Sequence, residues 1–301
     1  MTREEDRARR LAERLIRACV AWDKDQAERL RGQLAELGSV AVPVLVPLVE
    51  HADELVRLYA MDALQDIGDP SSIPALERAL HDPHGDVRIE AAETLTRLQP
   101  QKAGRSVARL LRSDDVYDRA NALWNLGRLK DLSLLPEITR LQESDPDAAL
   151  RRIARVVAIQ ISEGVPGLVR LLADPDADVR YCAIEALGAE KDPAAAPALL
   201  DTLFHDPIGR VRSHAGGYLR DILDESDATA LERALNDPEP LVRQTVLGSI
   251  AALTGERALP LLDRIALHDP DEQVRKGARY VMRLVRTGKM PRWTATGPSP
   301  R

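Results

Sequence analysis

Apolar and polar positions recur along this chain in one register. An arginine stands at Arg57, Arg88, Arg119, Arg151, Arg180, Arg212, Arg243 and Arg275, in steps of 31, 31, 32, 29, 32, 31 and 32 residues. The residue before it is Val56, Val87, Asp118, Leu150, Val179, Val211, Val242 or Val274. Three positions after it stands Ala60, Ala91, Ala122, Ala154, Ala183, Ala215, Val246 or Ala278, and seven after it Leu64, Leu95, Leu126, Ala158, Leu187, Leu219, Ile250 or Met282. Positions four apart share one face of a helix, so these columns predict a helix with a buried apolar stripe. Six residues before the arginine an Asp-Pro occurs at Asp82, Asp145, Asp174, Asp206, Asp237 and Asp269, with His51 and Ser113 in the other two places. Upstream of that turn a second column holds Pro43, Pro74, Pro136, Pro166, Pro197 and Pro260. Proline is tolerated in a first helical turn, and the residue before a proline avoids the helical conformation. Each unit of about 31 residues therefore reads as two helices, the first ended by Asp-Pro.

One such hairpin cannot cover its own apolar face; stacking on neighbours does. The expected fold is all-α: a right-handed α-solenoid of about eight repeats over residues 39–287, preceded by capping helices in 1–38 and followed by a basic tail, 288–301. The arginine column is expected to pair with the aspartate column of its own or the next repeat. Gly68, Gly127 and Gly188 are expected to end second helices in the left-handed conformation.

The stretch Asp174-Pro-Asp-Ala-Asp-Val-Arg180-Tyr-Cys-Ala-Ile-Glu-Ala-Leu-Gly188, echoed by Asp86-Val-Arg88-Ile-Glu-Ala91 and Asn125-Leu-Gly127, resembles a HEAT repeat of the short class known from phycobilisome lyases. The resemblance implies first helices outside and second helices lining a concave surface. It also implies that the chain acts as a scaffold or adaptor, as most members do. Asp118, Ala158 and the missing prolines of the third and seventh repeats depart from the pattern.

Composition agrees with helices: apolar residues are 44% and aromatics only 3% of 301 residues, which disfavours β-sandwiches and barrels. Two distant cysteines, Cys19 and Cys182, make neither a disulfide framework nor a zinc site, and the charged start MTREEDRARR is not a signal peptide. A cytoplasmic protein is expected, with no membrane contact, as a monomer or weakly self-associating.

No phosphate loop or nucleophile elbow occurs. HEAT-type deoxyhypusine hydroxylases, which resemble this fold, hold iron with His-Glu pairs. No His-Glu dipeptide occurs here, and His81, His205 and His268 precede Asp in three separate repeats. No metal, cofactor or catalytic residue is expected.

Residues of the second helices outside the core columns define the expected partner face: Tyr59, Asp62, Glu90, Glu93, Asn121, Trp124, Arg128, Arg152, Tyr181, Glu185, His214 and Tyr280. Exposed Tyr and Trp anchor interfaces. A basic stripe, Lys276, Arg279, Arg283 and Arg286, lies at spacings of 3, 4 and 3 on the last helix, although the chain carries a net charge of −6. The expected function is a non-enzymatic scaffold holding a protein partner. The alternatives are a nucleic-acid binder resembling HEAT-type alkylpurine DNA glycosylases, or a lyase-like subunit acting on a chromophore protein.

Overall fold

The computed structural model describes residues 2–288 and is helical throughout, with no strand among them. It divides into two compact units, Met1–Ala154 and Arg155–Arg301. The expected tail, apart from Gly288, lies outside the described residues.

In the first unit, helices Arg3–Val20 and Lys24–Ala35 occupy the stretch expected to cap the repeats. The second helices of the repeats then follow at Glu54–Ile67, Gly85–Leu98 and Val116–Leu129. In the second unit they are Ala177–Glu190, Gly209–Leu219, Pro240–Thr254 and Glu272–Thr287. A further helical stretch, Ala148–Leu171, holds the second helix of one repeat and the first of the next, broken at Gly164 where φ is 61°. First helices stop at the expected Asp-Pro: Asp145, Asp206, Asp237 and Asp269 take extended backbone.

The arginine column is a joint with two arms. One arm reaches back to the turn of its own repeat: Arg180 Nη1 donates to the Asp174 carbonyl at 2.8 Å, and Arg57, Arg88, Arg212 and Arg243 repeat this bond at the same distance. The other arm grips the aspartate of the next repeat. Arg57 holds Asp82, Arg119 holds Asp145, Arg180 holds Asp206, Arg212 holds Asp237, and Arg243 holds Asp269, all between 2.6 and 2.9 Å. Each aspartate also accepts from a backbone N–H two residues on, as Asp206 does from Ile208 at 2.9 Å. Between them these bonds occupy carbonyls left open at the end of the first helix and the N–H groups of the following turn. The pairs are nearly buried, so each partner depends on the other.

The third repeat solves the same problem differently. Ser113 stands where six of the other repeats have Asp, and the oddly placed Asp118 is buried at 1% exposure. Arg88 Nε donates to Asp118 at 2.8 Å, and the Ser113 hydroxyl donates to it at 2.6 Å. The departure at 118 supplies the carboxylate missing at 113.

Two expectations about glycine are corrected. Gly127 and Gly188 lie inside their helices, and Lys130 (φ 54°) and Lys191 (φ 52°) take the left-handed cap instead; only Gly68 (φ 74°) ends its helix as expected. Gly188 is glycine for clearance: a Cβ there would stand 1.9 Å from Tyr218 Cδ1. Gly216 likewise admits Val246 and Leu203, so it serves close packing, not a bend.

Two predictions follow from the joints. Arg180→Ala leaves Asp206 buried without its cation, and urea unfolding should show a loss of about 3 kcal/mol. Burial pushes the carboxyls of Asp237 and Asp269 up, but bonds from Arg212, Arg243 and backbone N–H groups win and hold both below the ordinary carboxylate range. Such groups stabilise the fold above their unfolded pKa, and that stability is lost as pH falls through the folded value. The thermal midpoint should therefore drop as pH falls below about 4, the unfolded carboxylate value, and the Asp237→Asn, Asp269→Asn variant should show a shallower drop.

Candidate functional site

The first unit carries a hollow of about 340 Å³ lined by Glu54, His84, Gly85, Asp86, Ile89, Asp115 and Tyr117. Three consecutive repeats build it from the N-terminal ends of their second helices. His84 Nδ1 lies 3.0 Å from Glu54 Oε2. Asp115 caps its helix by accepting from the Tyr117 N–H at 2.9 Å and faces Arg88 at 3.4 Å. Tyr117 is 72% exposed and forms an aromatic wall. Asp86, Glu90 and Glu93 stand at i, i+4 and i+7 of helix Gly85–Leu98, so a carboxylate row leads away from the hollow. Sequence reasoning found Glu90 and Glu93 but missed Glu54, His84, Asp86 and Tyr117. The available signal was the column two residues before the arginine, where Asp86 and Tyr117 fall in adjacent repeats.

The expected partner face divides between the units. Tyr59 is corrected to the core at 6% exposure: cap helices Arg3–Val20 and Lys24–Ala35 both pack on Glu54–Ile67 and cover that flank. Asp62, Glu90, Glu93, Asn121, Trp124, Arg128 and Arg152 are half-buried. Asn121 donates to the Tyr117 carbonyl at 2.9 Å.

In the second unit Tyr181 and Glu185 are half-buried, while Tyr280 is exposed. His214 stacks on Tyr181 with ring centroids 3.7 Å apart and meets Tyr218 edge-on at 4.9 Å. Its Nε2 is buried without a hydrogen-bond partner, and burial pushes its pKa down to about 4. His214 is thus half-buried, its ring packed within an aromatic cluster. On the basic stripe Lys276 pairs with Glu272 at 2.9 Å, Arg279 donates to the Ala266 carbonyl at 3.1 Å, and Arg283 and Arg286 are exposed.

A family model of HEAT repeats matches residues 9–96, 153–220 and 203–283. The chain belongs to the HEAT-repeat family. This confirms the repeat type read from the Asp-Pro and Val-Arg columns. Deoxyhypusine hydroxylase of Candida albicans is 25% identical over 254 residues, covering 81% of this chain and 80% of that protein. Deoxyhypusine hydroxylase-B of Oryza sativa subsp. japonica is 27% identical, covering 72% and 73%. Human deoxyhypusine hydroxylase in complex with glycerol superposes with a TM-score of 0.42 at 20% identity, covering 82% of this chain and 96% of that one. The complex of CpcE and CpcF of phycocyanin lyase from Nostoc gives 0.43 at 19%, covering 81% and 94%.

These relatives overturn the expectation of a non-enzymatic scaffold, because the proteins matched in sequence over most of their length are enzymes. The donor set for iron is a different matter. No group of three or more His, Cys, Asp or Glu among the described residues is arranged to hold a metal ion. No His-Glu dipeptide occurs, and His84, the histidine of the hollow, faces a single carboxylate. The residues present do not fit an iron centre, and no step through one follows.

The aromatic cluster makes two predictions. The His214 imidazole should titrate by NMR near pH 4. Folding keeps it neutral, so between about pH 6.5 and 4 the unfolded chain takes up a proton that the folded chain refuses, and stability declines over that window. Gly188→Ala should lower stability by about 2 kcal/mol, since Tyr218 must leave its place.

Proposed function

We propose that the chain works on an amine-bearing side chain of the deoxyhypusine type, and that the first unit's hollow receives the amine. The observation that carries this reading is the lining: Glu54, Asp86 and Asp115 surround one space, with Tyr117 as an aromatic wall and Ile89 as an apolar surface. Carboxylates neutralise an ammonium group, and an aromatic face attracts the same charge. Glu90 and Glu93 extend the anionic path along the helix for a long, multiply charged chain. The names of the relatives supply the substrate class, and the lining supplies the means of holding it. The site is expected to operate in the cytoplasm, where Cys19 and Cys182 stay reduced, as both are free thiols here.

Calorimetric titration with spermidine tests the reading. Binding should be saturable and salt-sensitive, and Glu54→Gln with Asp86→Asn should weaken it about tenfold, the effect of two lost exposed charge contacts of under about 1 kcal/mol each. Absence of binding, or equal binding by the double variant, would exclude the hollow as an amine site.

A further inference from the structure

The cap helix Arg3–Val20 carries a feature that neither the repeats nor the hollow use. Arg3, Arg7, Arg10, Arg14 and Arg17 follow one another at spacings of 4, 3, 4 and 3. At 100° per residue they fall within an arc of about 80°. All five are exposed, and no ion pair engages any of them among the described residues. The opposite side of the same helix, with Ala8, Leu11, Ala12, Leu15, Ala18 and Cys19, is buried against the repeats.

At the end of this row the chain turns through Trp22, which takes the left-handed conformation at φ 56°. A non-glycine residue there costs about 1 kcal/mol. The turn is held by Trp22 N–H to the Cys19 carbonyl at 2.9 Å and Asp23 N–H to the Ala18 carbonyl at 3.0 Å. The result is a tryptophan 70% exposed beside Val20, 59% exposed. Lys24 stands 6.0 Å from the indole ring.

We propose that this edge of the first unit docks on an anionic lipid bilayer. The two observations are independent and complementary. The guanidinium row fits lipid phosphates and carboxylates, which it can bind in bidentate fashion. Val20 and Trp22 form a small apolar tip, and indole rings settle at the boundary between headgroups and acyl chains. A single-stranded nucleic acid would use the arginines and the indole but leaves Val20 without a role. The opposing charges are local: Glu4, Glu5 and Asp6 lie in the first turn, where Glu5 closes a capping box with Thr2, and Glu13 borders the row. The acidic remainder of the chain is screened beyond roughly 10 Å at moderate salt.

Vesicle sedimentation with the full chain tests this. Phosphatidylcholine vesicles rich in phosphatidylserine, which carry a negative surface potential, should carry the protein down at about 0.1 M salt, and pure phosphatidylcholine should not. Arg10→Glu with Arg14→Glu should weaken binding about 30-fold or more. Trp22→Ala should weaken it severalfold while leaving its salt dependence unchanged. Far-UV circular dichroism checks that both variants fold. No sedimentation with the charged vesicles, binding indifferent to the arginine pair, or capture of a single-stranded oligothymidylate in place of vesicles would each overturn the proposal. Spermidine binding at the hollow is unaffected by any of these outcomes.

Discussion

The architecture depends on one contact, the arginine that joins the turn of its own repeat to the aspartate of the next. Each element of that contact is costly alone. A guanidinium, a carboxylate and several helix-end carbonyls all lose water when repeats stack. Together they satisfy one another, and the apolar columns at −1, +3 and +7 can close around them. The hydrophobic stripe supplies the driving force for stacking; the charged joint fixes where each repeat must sit. A slip by one helical residue would bury Arg180 and Asp206 apart, which makes register a matter of electrostatics as much as of shape.

The same constraint explains what could be read in the chain beforehand. Columns that serve the joint repeat because the joint repeats, so Arg180, Asp206 and Ala183 announced helices, turns and packing faces. Glycine was harder to interpret. Gly188 sits one residue past the apolar column, where a helix end is expected, yet its role is to admit the ring of Tyr218 from the next repeat. That ring lies 30 residues away, and no periodicity points to it. Tyr59 was assigned to an open face because its position in the repeat is open elsewhere; the cap covers it in the first repeat alone.

Function was less legible for a related reason. Residues outside the joint vary in type from repeat to repeat, so their columns carry no shared chemistry. The hollow draws Glu54, His84, Asp86, Asp115 and Tyr117 from three repeats, two to four positions before the arginine, where residue type changes from one repeat to the next. The HEAT-repeat resemblance pointed to a scaffold or adaptor, and no local motif in the sequence signalled chemistry. The relatives matched over most of the chain are deoxyhypusine hydroxylases, while no His-Glu dipeptide occurs in this sequence. The hollow has an acidic and aromatic lining.

The exchange between Ser113 and Asp118 has a consequence for how such chains grow and recombine. A module whose carboxylate sits at the usual place can be duplicated or moved, since any neighbour's arginine will find it. The third module breaks that interchangeability. Its acid is displaced by five positions and is secured by its own serine, so it must arrive as a matched set. A duplication or crossover that separated the two residues would strand a buried charge, and selection would remove it. Ser113 and Asp118 must be inherited together, although the arginine that grips Asp118 is the ordinary one of the column.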